Sequence, residues 1–174
     1  FYPGKSVATS WNYGLKRIFE HEDHALVVNN DILLRPDAYE LLLADGSGFV
    51  TCVGVQGEHS KVTRIIAKKG VKQFIDAMGR EIFPGPPDLS TVTKRSHPDF
   101  SCYLIRKWVW EKVGEFDEGF KIAFCEDGDY HVRMHKVGVG AWWLDVPYLH
   151  YGSQTIKNAT EEEQQAIREQ AERN

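Results

Sequence analysis

Apolar side chains recur at helical spacing over positions 6–20, where Val7, Trp11, Leu15, Ile18 and Phe19 share one stripe; this predicts an amphipathic helix. A short apolar run follows, Ala25-Leu26-Val27-Val28, half of it β-branched. It reads as a strand buried on both faces, the pattern of a parallel sheet covered by helices. The run ends abruptly in Asn29, Asn30 and Asp31, and open α/β sheets bind their ligands in the crevice beyond the carboxyl ends of such strands. Asp31 is therefore the first candidate functional residue. Pro36 at a first helical position, followed by Tyr39, Leu42 and Leu43, predicts a second helix that Asp45 and Gly46 end.

Positions 49–55 and 62–67 are apolar, β-branched runs separated by turn residues, which predicts a hairpin or strand pair. The 71–78 segment reads as a short helix or an irregular strand. Pro84, Gly85, Pro86 and Pro87 then enforce an extended loop, either a cover for a site or a plain connector. A strand at 100–105 and a helix at 108–113 ended by Gly114 come next. Over 126–136 the pattern is again helical, with Tyr130, Met134 and Val137 as its buried face. Acids open that helix, bases close it and Gly138 stops it, which complements the helix dipole. A last strand at 141–146 precedes Pro147, which bends the chain into His150, Tyr151 and Gly152. Thr160 and Glu163 form a capping box for a polar terminal helix. Its weak apolar stripe suits a surface arm or a contact with another subunit, so a homo-oligomer through this helix is a candidate. There are no internal repeats.

A chain of 174 residues suits one domain with one core. No apolar run approaches the roughly 18 residues needed to cross a bilayer. Net charge is −4 and the basic residues are dispersed, which lacks the electrostatic footprint of a nucleic-acid binder. An anionic ligand would accordingly need local help from a metal or from helix N-termini. The three cysteines, Cys52, Cys102 and Cys125, are odd in number and widely spaced in apolar surroundings. That pattern fits reduced cytosolic thiols used for packing. Starting at Phe1 and running straight into Pro3 and Gly4, the sequence reads as cut or processed.

Two acidic corners stand out, Asn29-Asn30-Asp31 and Glu126-Asp127-Gly128-Asp129, with the lone His150 after the last strand. Carboxylates with an imidazole suit Mg²⁺ or Mn²⁺, which prefer oxygen ligands and keep positions open for substrate phosphates. One corner would hold the metal while the other acts as a base. The plainer readings stand beside these, because Asn and Asp populate turns for local hydrogen-bonding reasons and acids cap helix starts. Asp129 in particular reads as a solvated first-turn acid. His131 and His135 lie four apart, yet no glutamate of a zinc-protease motif stands between them, and a solvated or dipole-satisfying pair is the better account. Trp108, Trp110, Trp142 and Trp143 offer stacking surfaces for a sugar, although neighbours on a strand point to opposite faces and one of the last two belongs to the core. No phosphate-cradling glycine loop, nucleophile elbow or paired CxxC motif is present.

Several segments, taken in order, carry a family resemblance. They are Asn12-Tyr13-Gly14-Leu15; Val27-Val28-Asn29-Asn30-Asp31 with Pro36; Asp99-Phe100-Ser101-Cys102-Tyr103-Leu104-Ile105-Arg106; Val109-Trp110-Glu111-Lys112-Val113-Gly114-Glu115-Phe116-Asp117-Glu118; Glu126-Asp127-Gly128-Asp129-Tyr130; and His150-Tyr151-Gly152. Over roughly positions 5 to 153 the chain resembles the family 2 glycosyltransferases of the GT-A fold, rhamnosyltransferase-like members in particular. The resemblance implies a GT-A-like, Rossmann-like α/β domain over 1–155, with a mostly parallel mixed sheet flanked by helices, and a polar helix or arm over 156–174. It implies an inverting, metal-dependent hexosyltransferase of polysaccharide biosynthesis, moving a sugar from a nucleotide-diphosphate donor to a hydroxyl of a saccharide or lipid-linked acceptor. The implied location is the cytoplasm, or the inner face of the membrane from the cytoplasmic side.

Residue by residue, Asn29-Asn30-Asp31 is similar to the family's DxD-type motif, in which Asp31 would bind Mn²⁺ or Mg²⁺ bridging the donor diphosphate. His150 matches the histidine that completes the metal or diphosphate site. Glu126-Asp127 is similar to the ED motif, which makes Asp127 the general base on the acceptor hydroxyl and Glu126 the runner-up. Asp99, Phe100 and Ser101 match positions that contact donor sugar or acceptor, and Asn30 and Asn12 complete the implied substrate-binding set. The family normally begins with a strand, turn and helix that bind base and ribose. No counterpart precedes Phe1, so the expectation is an N-terminally truncated enzyme lacking half its donor pocket. Trp11 stands where an arginine is common, and Asn29 where the motif's leading acid would be, a loss of charge that weakens metal affinity. The rival readings are a non-catalytic relative that binds carbohydrate or a partner protein and, third, a metal-dependent phosphoesterase using the same acids.

Overall fold

The computed structural model describes residues 6–56, 62–68, 71–76, 92–94, 100–120, 125–150 and 160–173. Helix α1 (Val7–Ile18) starts where Ser6 caps it, the Ser6 hydroxyl accepting the Thr9 N–H at 3.2 Å. Strands β1 (His24–Val28) and β2 (Ile32–Leu34) flank the Asn29-Asn30-Asp31 corner. Helix α2 (Ala38–Asp45) begins two residues beyond Pro36 and ends at Gly46, whose φ of 76° is the left-handed cap that glycine adopts without a Cβ penalty. Then come β3 (Phe49–Gln56), β4 (Val62–Lys68), β5 (Val71–Asp76), β6 (Val92–Lys94), β7 (Cys102–Arg106), α3 (Lys107–Val113), α4 (Glu126–Lys136), β8 (Trp142–His150) and α5 (Glu161–Arg173). The Pro84-Gly85-Pro86-Pro87 loop, the proposed boundary at 155/156 and the Glu163 side chain of the Thr160–Glu163 cap lie outside what is described.

The main sheet runs β1-β7-β3-β8-β2, with β6 also on β8, while β4 and β5 form a separate two-stranded sheet. The fold is thus mixed α/β with a mixed sheet flanked by helices. Parallel pairing among the described residues is confined to β3 with β8; β1–β7, β3–β7, β2–β8 and β6–β8 are antiparallel. This corrects the expectation of a mostly parallel sheet. Helices on both faces give a strand the same apolar pattern whichever way its neighbours run, so burial does not report direction. Pairing departs from the local expectation too. β3 turns away from β4 and joins β7 and β8, and β4 pairs with β5, a strand in the segment read as either helix or irregular strand.

Among the described residues strand β1 lies at the edge of the sheet, with Val28 41% exposed rather than buried on both faces. Its register on β7 continues at each end, through the Asn29 N–H to the Ser101 carbonyl and the Lys107 N–H to the Asp23 carbonyl. In an antiparallel ladder the partners alternate, so Ala25 and Val27 bond inward to β7 while the backbone groups of His24, Leu26 and Val28 point outward.

Geometry requires the sheet to curl. From β1 to β2 there are four strand spacings, about 19 Å at roughly 4.8 Å each. The four residue steps from Val28 to Ile32 reach at most about 14 Å. The β3–β8 register shifts within the sheet: Thr51 faces Trp143 but Val53 faces Pro147, so β8 takes up two extra residues there, an irregularity of the kind that bends a strand. Before the shift β6 borders the outer side of β8 at Trp142 to Leu144; beyond it β2 does so at Tyr148 to His150.

Alternation along the strands feeds two cores. Phe49, Tyr103 and Ile105 join Leu15, Val109, Phe116, Tyr130 and Met134 under α1, α3 and α4. Val50, Cys52, Cys102, Leu104, Leu144 and Tyr148 meet Ala38 and Leu42 of α2 on the other side. No helix among the described residues is long and apolar enough to cross a membrane.

Candidate functional site

Strands β1, β3 and β8 share one direction, and their carboxyl ends lead to the corner that the sequence singled out. There the Asn29 N–H donates to the Ser101 carbonyl at 2.9 Å, which fixes the corner to the start of β7. Two residues on, β2 begins, and the register sets Ile32 opposite His150 and Gln56 opposite the same histidine. Asp31 is brought against His150 in this way. The His150 Nε2 lies 3.3 Å from the Asp31 Oδ1, with the side chains only 17% and 13% exposed. A hard carboxylate oxygen beside an imidazole nitrogen fits Mg²⁺ or Mn²⁺. Among the described residues no group of three or more His, Cys, Asp or Glu is gathered for a metal; a cation held by this pair would have to take its other ligands from elsewhere, such as water. Asn30 is exposed on the same corner.

The second corner is the start of α4. Cys125 precedes it with φ at 75°, the only left-handed non-glycine among the described residues, and such strained positions cluster at functional sites. That turn sends Glu126 inward. The residue is 6% exposed, and Oε2 has no hydrogen-bond partner among the described residues. Burial pushes the Glu126 carboxyl up from its ordinary value, and the neighbouring Asp127 carboxylate adds to the rise. The Tyr103 and Tyr130 hydroxyls are likewise buried with no partner among the described residues, and burial raises both phenols, with Tyr130 and Glu126 adding to the rise at Tyr103. Asp127 faces outward, its Oδ1 accepting the Gly128 N–H at 2.7 Å. Asp129 pairs with Arg133 at 2.7 Å, one turn on. The Arg133 guanidinium lies over the Tyr130 ring and donates to the Val113 carbonyl, tying α4 to the end of α3.

Other expected site residues sit deeper. Asn12 is 1% exposed: its Nδ2 donates to the Phe116 carbonyl and the Glu118 Oε1, both at 2.9 Å, and its Oδ1 accepts the Phe116 N–H at 2.8 Å. The amide thus clamps the loop that leads toward α4. Phe100 is buried in the aromatic core among Trp11, Phe49, Tyr103, Phe116 and Tyr130. Ser101 takes part through its backbone carbonyl, a role that side-chain chemistry does not announce. Asp99 lies outside the described residues. Sequence reasoning missed the left-handed Cys125 and the two buried tyrosine hydroxyls, Tyr103 and Tyr130, that lack a partner among the described residues. Period-two alternation in the β7 run marks Tyr103 as facing the α4 side, but nothing local marks Cys125.

Comparison with known proteins completes the description: no protein-family model matches the chain, and no curated protein does so.

Proposed function

We propose that this chain is an inverting, metal-dependent glycosyltransferase acting on a nucleotide-diphosphate sugar and an acceptor hydroxyl. The observation that carries the reading is the Asp31–His150 pair, 3.3 Å apart and largely enclosed at the carboxyl ends of strands, where α/β sheets hold ligands. Asp31 and His150 would hold Mn²⁺ or Mg²⁺, which when bound offsets the negative charge of a departing diphosphate. Asp127, the outward-facing acid of its pair, takes the acceptor proton. Glu126, buried behind it, holds a proton more readily than an ordinary glutamate. Asn12 positions the loop before α4 rather than touching the substrate. Among the described residues the outward backbone groups of β1 meet no further strand and offer an edge for strand pairing.

A second reading, a non-catalytic domain that binds carbohydrate or a partner protein, draws on the same open edge of β1, since strand addition is a common mode of partner binding. The two separate by incubation of the chain, alone and joined to any upstream coding segment, with a panel of sugar nucleotides and Mn²⁺. Release of nucleotide that Asp127→Asn abolishes while metal binding persists is the outcome expected of the enzyme. An unchanged turnover rate in Asp127→Asn would refute the role given to that residue.

A further inference from the structure

Two of the three cysteines meet inside the sheet. Continuing the β3–β7 register of Phe49 with Ile105, Val50 with Leu104 and Thr51 with Tyr103 by one step sets Cys52 opposite Cys102. The Arg106 N–H bonds to the Gly48 carbonyl, and counting in twos from that pair makes Cys52 and Cys102 a hydrogen-bonded pair. Directly opposed residues of that kind have Cα atoms about 5.5 Å apart, inside the roughly 4.4–6.8 Å that a disulfide spans. Both side chains lie on the α2 face of the sheet, both are 0% exposed, and their sulfurs are 3.7 Å apart. Packing alone requires neither two cysteines nor this register.

We propose that Cys52 and Cys102 are an oxidisable pair, which a peroxide converts into a disulfide across β3 and β7. One thiol reduces the peroxide to water and becomes a sulfenic acid. The second sulfur then displaces that oxygen as water, forming the S–S bond, so two thiols and one hydrogen peroxide give one disulfide and two waters. Entry of the oxidant waits on local opening, because neither sulfur reaches solvent in the closed fold. Closure then needs no search, since the partner sulfur is already in contact. The bond forms at the first residue of β7, next to Ser101, whose carbonyl holds the Asn29 amide. Oxidation therefore stiffens the strand start on which the Asn29-Asn30-Asp31 corner rests. Cys125, exposed at the head of α4, has no such partner position and serves as an internal control.

The test is treatment of the native chain with hydrogen peroxide, blocking of residual thiols after unfolding, and non-reducing digestion with mass spectrometry. The expected result is one species joining the Cys52 and Cys102 peptides, lighter by two hydrogens and separated by dithiothreitol. It forms more slowly than Cys125 oxidises and forms equally in Cys125→Ser. The oxidised protein also shows a higher denaturant midpoint, reversed by reduction. Recovery of the two peptides unlinked, as thiols or as sulfinic and sulfonic acids, once Cys125 is fully oxidised would overturn the proposal. So would linkage of either one to Cys125.

Discussion

Burying Glu126 costs stability when its carboxyl ionises, and the sign of the pH dependence follows. The folded-state pKa is raised above the ordinary 4.5, so the folded chain holds this proton more tightly than the unfolded one. Its contribution is fully present below the unfolded pKa and is lost as pH rises through the raised folded value. In Glu126→Gln, which stays neutral, that loss disappears. Denaturant midpoints measured from acid to neutral pH should nearly coincide for the two proteins at the acid end and then separate in favour of the variant; parallel curves would refute the account. Asn12 makes a second prediction at the same scale. Asn12→Ala strips the Phe116 N–H and carbonyl of their buried partner, at a cost of roughly 2–4 kcal/mol. A change within about 0.5 kcal/mol, the level of an ordinary surface substitution, would mean that the clamp does not hold the loop.

The elements differ in how plainly they were written in the sequence, and the difference is physical. Helices α1, α2 and α4 carry their limits in short-range signals: the Ser6 cap, the left-handed Gly46, and acids then bases along 126–136. Strand partners carry no such signal. β3 chooses between β4 nearby and β7 and β8 far along the chain through packing on both faces, which a single run of apolar residues does not encode. The same limit separates the site residues. Asp31 and His150 were legible as chemistry, whereas their meeting depends on the two-residue shift between β3 and β8. The resemblance implies a donor or acceptor contact for Phe100, and the structure sets this residue in the aromatic cluster, 4% exposed. Element packing also gives a prediction at Gly48, where an added Cβ would collide with Trp108 Cζ2 and lie 2.7 Å from Val109 Cγ2. Gly48→Ala should destabilise by about 1–3 kcal/mol. Pairing it with Trp108→Ala should recover part of that loss in a double-mutant cycle by chemical denaturation; strict additivity would show that α3 does not press on this turn.

Across the whole molecule, the curled sheet joins an open edge at β1 to an enclosed acid and histidine at the other end of the strand order. The edge is testable by hydrogen exchange. Amides of Leu26 and Val28 should exchange far faster than those of Ala25 and Val27, which bond to β7; equal protection along β1 would show the edge already paired. The central claim rests at the other end, where Asp31 and His150 are proposed to hold a divalent cation. Titration of the native chain with Mn²⁺ by calorimetry, in parallel with Asp31→Ala and His150→Ala at matched folded fractions, tests it most directly. The account predicts saturable binding that falls at least about tenfold in Asp31→Ala, a loss of about 1.4 kcal/mol or more, and falls measurably in His150→Ala. Identical affinity in the native chain and Asp31→Ala would contradict it.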